Sequence, residues 1–197
     1  MIAIIEYNAG NIRSVANALH RLGYESSVTG DHDKIRSAEK VIFPGVGEAS
    51  GAMHYLRNEG LDKLLVSLRQ PVLGICLGLQ LMCRYSDEGN TEGLGIFDAD
   101  VLLFPPLARV PHMGWNTAQV CREHPLVADW DEESRFYFVH SFHVVAKDMD
   151  AVLAKTDYGV TIHSILGREN IMGVQFHPEK SHRYGMRLLK NFAENIK

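Results

Sequence analysis

Three times in its first half the chain runs a short apolar segment into a turn and then into residues at helical spacing, and this repetition limits the fold more than any other feature. AIIEY (3–7) leads through the turn NAGN to Ile12, Val15, Ala16, Leu19 and Leu22, a helical series that Gly23 ends. VIFPGVG (41–47) is a second strand with a glycine turn, after which Met53, Leu56, Leu64, Leu65 and Leu68 supply apolar helix faces. PVLGI (71–75) begins the third unit. Strands joined through helices lie parallel, and a parallel sheet is covered by helices on both faces.

The second half changes character. After GIFDADVLLF, β-branched and aromatic residues dominate FYFVHSFHVV (136–145), AVLAKT (151–156), VTIHSIL (160–166) and IMGVQFH (171–177), with short polar or glycine turns between them. This pattern predicts hairpins and a mixed or antiparallel extension of the sheet, closed by a last helix over 184–195. With no linker, repeat or low-complexity stretch, residues 1–197 are expected to form one domain.

Charge and cysteine usage narrow the function classes. A formal charge of -4 with scattered Lys and Arg argues against nucleic acid or an anionic membrane as partner. The apolar start is too short to span a bilayer and lacks the basic beginning of a signal peptide. Cys76, Cys83 and Cys121 are odd in number and have no CxxC spacing, which disfavours a disulfide framework or a structural zinc site and fits a reducing cytoplasm.

Cys76 stands where the third strand meets its helix, with Gly74 two residues before it and Gly78 two residues after. This G-x-C-x-G copies the spacing of the G-x-S-x-G nucleophile elbow, whose small flanking residues let a strained turn pack while the nucleophile is presented. A thiol at a helix N-terminus ionises more readily than a free one. Cys83 lacks such glycines and falls in the helical pattern, where a structural role is expected, and Cys121 has nothing distinctive beside it.

A nucleophilic thiol needs a base, and the chain has ten histidines. His177 ends an apolar strand and is followed by Pro178 and Glu179. In an extended H-P-E segment the first and third side chains point the same way, so Glu179 can orient the imidazole. Alone, a strand-end histidine reads as structural; beside the elbow it completes a Cys76–His177–Glu179 set. Acyl chemistry also needs oxyanion donors: the amide of Leu77, and one from Val46 or Gly47 in PGVG. The competing phosphate-loop reading fails, because Gly45, Gly47 and Gly51 match neither the dinucleotide fingerprint nor the P-loop.

PGVG, GICLGLQ, PHMGWN, YFVHSF and GVQFHPEKS, in this order over almost the whole chain, together with the opening YNAGNIRSV, resemble the class I (triad) glutamine amidotransferases. Within that family the set is most similar to glutaminase subunits that supply ammonia to a (β/α)8-barrel cyclase of histidine biosynthesis. The resemblance implies a three-layer α/β, flavodoxin-like fold with a central mixed, mostly parallel sheet and added antiparallel strands. It implies attack of Cys76 on the side-chain amide of glutamine, a γ-glutamyl thioester, and neither a metal nor an organic cofactor. Gln80 and Glu88 would bind glutamine, with the backbone around His140, Ser141 and Phe142. His112, Met113, Gly114, Trp115 and Asn116 would lie near the partner subunit, Trp115 beside the ammonia exit, with Tyr137 and Lys180 at the same interface. Asn11 would lie near the oxyanion strand and the partner. Three other readings stay open: a paralogue feeding a surface-sugar synthase, a cysteine peptidase or hydrolase of related fold, and a silent binding subunit.

Overall fold

The computed structural model describes residues 1–7, 10–106, 109–131 and 133–197. Asn8 and Ala9 of the first predicted turn lie outside the described residues. The first half is a βα series: β1 (Ile2–Ile5), α1 (Ile12–Arg21), β2 (Ser26–Thr29), α2 (His32–Ser37), β3 (Lys40–Gly45), α3 (Ala49–Asn58), α4 (Leu61–Ser67), β4 (Val72–Cys76) and α5 (Leu77–Met82). β5 (Cys83–Ser86), β6 (Thr91–Glu92), β7 (Phe97–Leu103), β8 (His112–Thr117) and β9 (Gln119–Val120) follow. The chain then forms β10 (Arg135–His140), β11 (Phe142–Ala146), β12 (Val152–Asp157), β13 (Thr161–Arg168), β14 (Ile171–Val174) and α6 (His182–Asn195).

Among the described residues an eight-stranded sheet has the order β2-β1-β3-β4-β14-β13-β12-β9. Its pairs from β2 to β14 are parallel, and the pairs β14-β13, β13-β12 and β12-β9 are antiparallel. Successive residues of a strand face opposite sides of the sheet, so Ile2 and Ile4 pack with α1 and α6 while Ala3 and Ile5 pack with α2 to α5. That alternation is the three-layer arrangement. β2 and α2 add a βα unit that the apolar pattern does not announce, because SSVT has a single strongly apolar residue and α2 buries only Ile35.

Two expectations need correction. FYFVHSFHVV is not one unbroken stretch of strand: β10 pairs with β8, β11 pairs with β7, and the chain passes between these two smaller sheets at Ser141. Cys83 is not helical. Helix α5 stops at Met82, and Cys83 opens β5, fully buried, its thiol donating to the Leu79 carbonyl at 3.4 Å.

Candidate active site

The parallel strands bring the predicted chemistry to one end of the sheet. In the register, Gly45 at the end of β3 lies opposite Cys76 at the end of β4, and Val174 of β14 lies opposite Ile75. The loops leaving β3, β4 and β14 therefore emerge side by side, at the carboxyl ends where open α/β sheets hold ligands.

Cys76 has φ 54° and ψ -107°, a conformation that costs a non-glycine residue on the order of 1–3 kcal/mol and marks the elbow. Gly78 makes it sterically possible. A Cβ there would lie 1.9 Å from the Phe43 carbonyl oxygen, so only glycine lets α5 pack against β3 directly after the turn. Leu77 is the first residue of α5, and its N–H has no intrahelical acceptor. The thiol is less open than the sequence implies: Cys76 is 6% exposed and forms part of the wall of a cleft of about 290 Å³.

That cleft gathers the predicted residues. Val46, Gly47, Cys76, Leu77, Gln80, Glu88, His140, Ser141 and Phe142 line it, joined by Pro111 and Val139. Gly47 has φ +124°, backbone that side-chain-bearing residues rarely adopt. Gln80 is buried and donates from Nε2 to the Phe142 carbonyl at 3.0 Å. Glu88 accepts from the Ala49 N–H at 2.9 Å, and burial raises its pKa above the usual carboxylate value despite that bond.

His177 and Glu179 stand behind the cleft. His177 Nδ1 lies 2.7 Å from Glu179 Oε1, both side chains being almost wholly buried. The segment between them is not extended as expected. Pro178–Lys180 is a 3₁₀ turn, closed by the Lys180 N–H on the His177 carbonyl and fixed by the Ser181 hydroxyl on the same oxygen at 2.6 Å. The turn folds Glu179 back onto the ring instead of displaying it beside the ring. With Nδ1 donating to Glu179, the other nitrogen, Nε2, is buried without a hydrogen-bond partner among the described residues. Burial opposes a charge on this ring, but the Cys76 sulfur and Glu179 outweigh it and push the His177 pKa up to about 10. An imidazole so placed can take a proton from the thiol and stabilise the resulting charge.

Sequence reasoning misses two contacts. Asn11, the left-handed residue before α1, donates from Nδ2 to Glu179 Oε1, so it braces the carboxylate. The PGVG turn after β3 is also near, since a Cβ on Gly10 would stand 3.0 Å from Val46 Cγ2. Gln175, fully buried two residues before His177, places Nε2 3.9 Å from Cys76 Sγ and its carbonyl oxygen 3.2 Å from Gln80 Nε2. A polar side chain inside the apolar run IMGVQFH is the signal that identifies it.

Most of the other predicted residues form a surface beside this site. Met113 is 61% and Trp115 43% exposed, and Lys180 is exposed on the 3₁₀ turn. Gly114, Asn116 and Tyr137 are half-buried. Trp115 lies opposite Tyr137 in the β8–β10 register and stacks on His182 with ring centroids 5.1 Å apart. The Tyr137 carbonyl accepts the His177 N–H, and its own N–H donates to Ser181, so this patch is tied to the turn carrying Glu179. His112 departs from the expectation. It is buried, turned inward against Phe138 and Tyr158, because alternate residues of β8 face opposite ways.

Comparison with known proteins identifies the class. The family model described as Glutamine amidotransferase class-I matches residues 3–196, and the chain belongs to that family. It is 50% identical over 196 residues, 98% of each chain, to the imidazole glycerol phosphate synthase subunit HisH of Bacteroides fragilis (strain YCH46). It is 44% identical, over 100% of each chain, to subunit HisH 2 of Pseudomonas aeruginosa PAO1. Among solved structures, PurLQS from Thermotoga maritima superposes with a TM-score of 0.75 at 19% identity, over 100% of this chain and 98% of that one. Another, a glutamine amidotransferase, gives 0.72 at 20% identity, over 98% of each chain. Both have the same fold. No helix among the described residues is long and apolar enough to cross a membrane.

Proposed function

We propose that this chain is the glutaminase subunit of an imidazole glycerol phosphate synthase, hydrolysing glutamine to glutamate and ammonia for a HisF-type (β/α)8 cyclase subunit. The observation that carries the proposal is the gathering, in a chain 50% identical to a HisH subunit over 98% of its length, of a strained cysteine with Val46, Gly47, Gln80 and Glu88 around one cleft and a glutamate-braced histidine behind it.

The chemistry follows from the placement. His177 Nε2 takes the Cys76 proton and the sulfur adds to the γ-carbonyl carbon of glutamine. The carbonyl oxygen becomes an oxyanion held by the Leu77 N–H and by an amide of Val46 or Gly47. Collapse breaks the C–N bond, and His177 returns its proton to the departing nitrogen, leaving ammonia and a γ-glutamyl thioester. Water then adds to the thioester with His177 as base, and glutamate and the free thiol result. Gln80, Glu88 and the backbone of His140, Ser141 and Phe142 hold the substrate. None of these steps calls on a metal or organic cofactor.

Ammonia in neutral water is mostly protonated and a poor nucleophile, so the product is used only if it passes directly to the partner. Asn11, Met113, Gly114, Trp115, Asn116, Tyr137 and Lys180 form the facing surface, and the cyclase joins the ammonia to a phosphorylated ribulosyl precursor. The reaction runs in the cytoplasm, where the three thiols stay reduced.

Glutamate release is the test. The purified chain alone should be a poor glutaminase, and the histidine-pathway cyclase should raise its rate about a hundredfold, the value of one well-placed oxyanion donor. Activation by a surface-sugar synthase alone would reassign the chain to that pathway, and full activity without any partner would remove the coupling.

A further inference from the structure

At the glutamine cleft, whose wall includes His140, two histidine side chains lie in line, and neither imidazole has a part in the chemistry described above. His112 Nδ1 is 3.0 Å from His140 Nε2, and His140 Nδ1 is 2.7 Å from the carbonyl oxygen of Phe142. At the outer end Asn116 Nδ2 approaches His112 Nε2 at 3.4 Å, while also donating to the Asp157 carbonyl at 2.9 Å.

The order of donors in this chain is forced. A carbonyl oxygen only accepts, so His140 carries its proton on Nδ1 and leaves Nε2 as an acceptor. His112 must then donate from Nδ1, which leaves its own Nε2 to accept from the Asn116 amide. Asn116 cannot be reversed, because its oxygen already accepts the Thr117 N–H at 2.8 Å. Every bond runs one way, from Asn116 to Phe142.

The far end of the chain meets the substrate side. Phe142 lies opposite Leu103, and the Phe104 N–H bonds to the Ser141 carbonyl beside that pair. Phe142 is therefore at a non-hydrogen-bonded position of the ladder, with its N–H and C=O both directed away from β7. Its carbonyl takes two bonds, from His140 and from Gln80 Nε2 at 3.0 Å. Both lone pairs are used, and the N–H on the same side, at a residue lining the cleft, has no acceptor among the described residues and can serve a ligand.

We infer that His112 and His140 are positioning residues for glutamine: two neutral imidazoles, each held in the Nδ1–H tautomer, pass a hydrogen bond from Asn116 to the Phe142 carbonyl and so aim the Phe142 N–H into the cleft. Their surroundings keep the pair uncharged. Burial lowers the pKa of His112 to about 4 and that of His140 to about 3, in the latter against the bond to Phe142 and reinforced by His112, His143 and His177. Tyr158 stacks on His112 with ring centroids 3.8 Å apart and Phe138 lies on it at 4.7 Å, so the ring cannot turn out to water without breaking that stack.

The identity of the ligand rests on the glutaminase reading, whereas the order of the hydrogen bonds does not. Long-range ¹⁵N–¹H correlation on the full chain labelled with [¹⁵N]histidine, at neutral pH, should give both residues as neutral Nδ1–H tautomers. An Nε2–H tautomer or an imidazolium at either position would overturn the relay, whatever the activity. In the complex, His112→Phe keeps the stacking but removes the donor, and the KM for glutamine should rise about tenfold with a smaller change in kcat. His112→Asn, which places an N–H near the old Nδ1, should recover most of that loss. Equal KM values in the two variants would show that the ring only fills space.

Discussion

Cys76→Ala in the assembled synthase should lower glutamine-dependent turnover at least about a thousandfold while synthesis from added ammonium salts continues at nearly the wild-type rate. In the proposed reaction only thioester formation uses the sulfur, and the partner would receive the same ammonia from either source. The substitution should also leave the fold intact, because the residue's strained backbone is no better tolerated by cysteine than by alanine. Cys83 offers no substitute nucleophile: it is fully buried, and burial raises its pKa well above that of a free thiol. Steady-state assays with the two nitrogen sources separate the outcomes, and equal loss of both activities would make Cys76 structural.

His177→Asn should cost about a hundredfold to ten-thousandfold in glutaminase rate, since no other group receives the thiol proton. Glu179→Gln should cost less, and the structure supplies the reason. The carboxylate oxygen facing His177 also accepts from Asn11 Nδ2. In the glutamine variant that same donor selects the amide oxygen for this position, so His177 keeps its proton on Nδ1 and its Nε2 free. Only the charge that favours imidazolium is lost. Removing Asn11 as well, in Asn11→Ala with Glu179→Gln, frees the amide to flip and the imidazole to take the wrong tautomer, which lowers the rate towards that of His177→Asn. Rates measured at saturating glutamine in the complex check the series, and a single Glu179→Gln variant as damaged as His177→Asn would remove the bracing role of Asn11.

Much of this was legible in the amino-acid sequence because the constraints are local. Gly74, Cys76 and Gly78 specify a strand breaking into a helix within five residues, and the alternation of apolar runs with helical spacing specifies a parallel sheet. Where hydrogen bonds outside a motif decide its shape, whether from the next residues or from distant segments, the motif's own pattern is silent. H-P-E looks extended in isolation, but the Ser181 hydroxyl and the Lys180 N–H on the His177 carbonyl curl it into a 3₁₀ turn. FYFVHSFHVV reads as one β-rich stretch, yet nothing in it records that Ser141 carries the chain from one sheet to another. Asn11 and Glu179 are separated by 168 positions, so their contact has no sequence periodicity at all. His112 follows a simpler rule that was available: alternation along β8 turns it inward while Met113 and Trp115 face out.

The covalent intermediate offers the most direct test of the central claim. Acid-quenching the complex during turnover of glutamine, followed by peptide mass spectrometry, should find a single γ-glutamyl adduct on the peptide carrying Cys76, absent from the Cys76→Ala variant. An adduct on Cys83 or Cys121, or steady glutamate release with no adduct on Cys76 at any quench time, would contradict the assignment of this cleft as a cysteine-dependent glutaminase site.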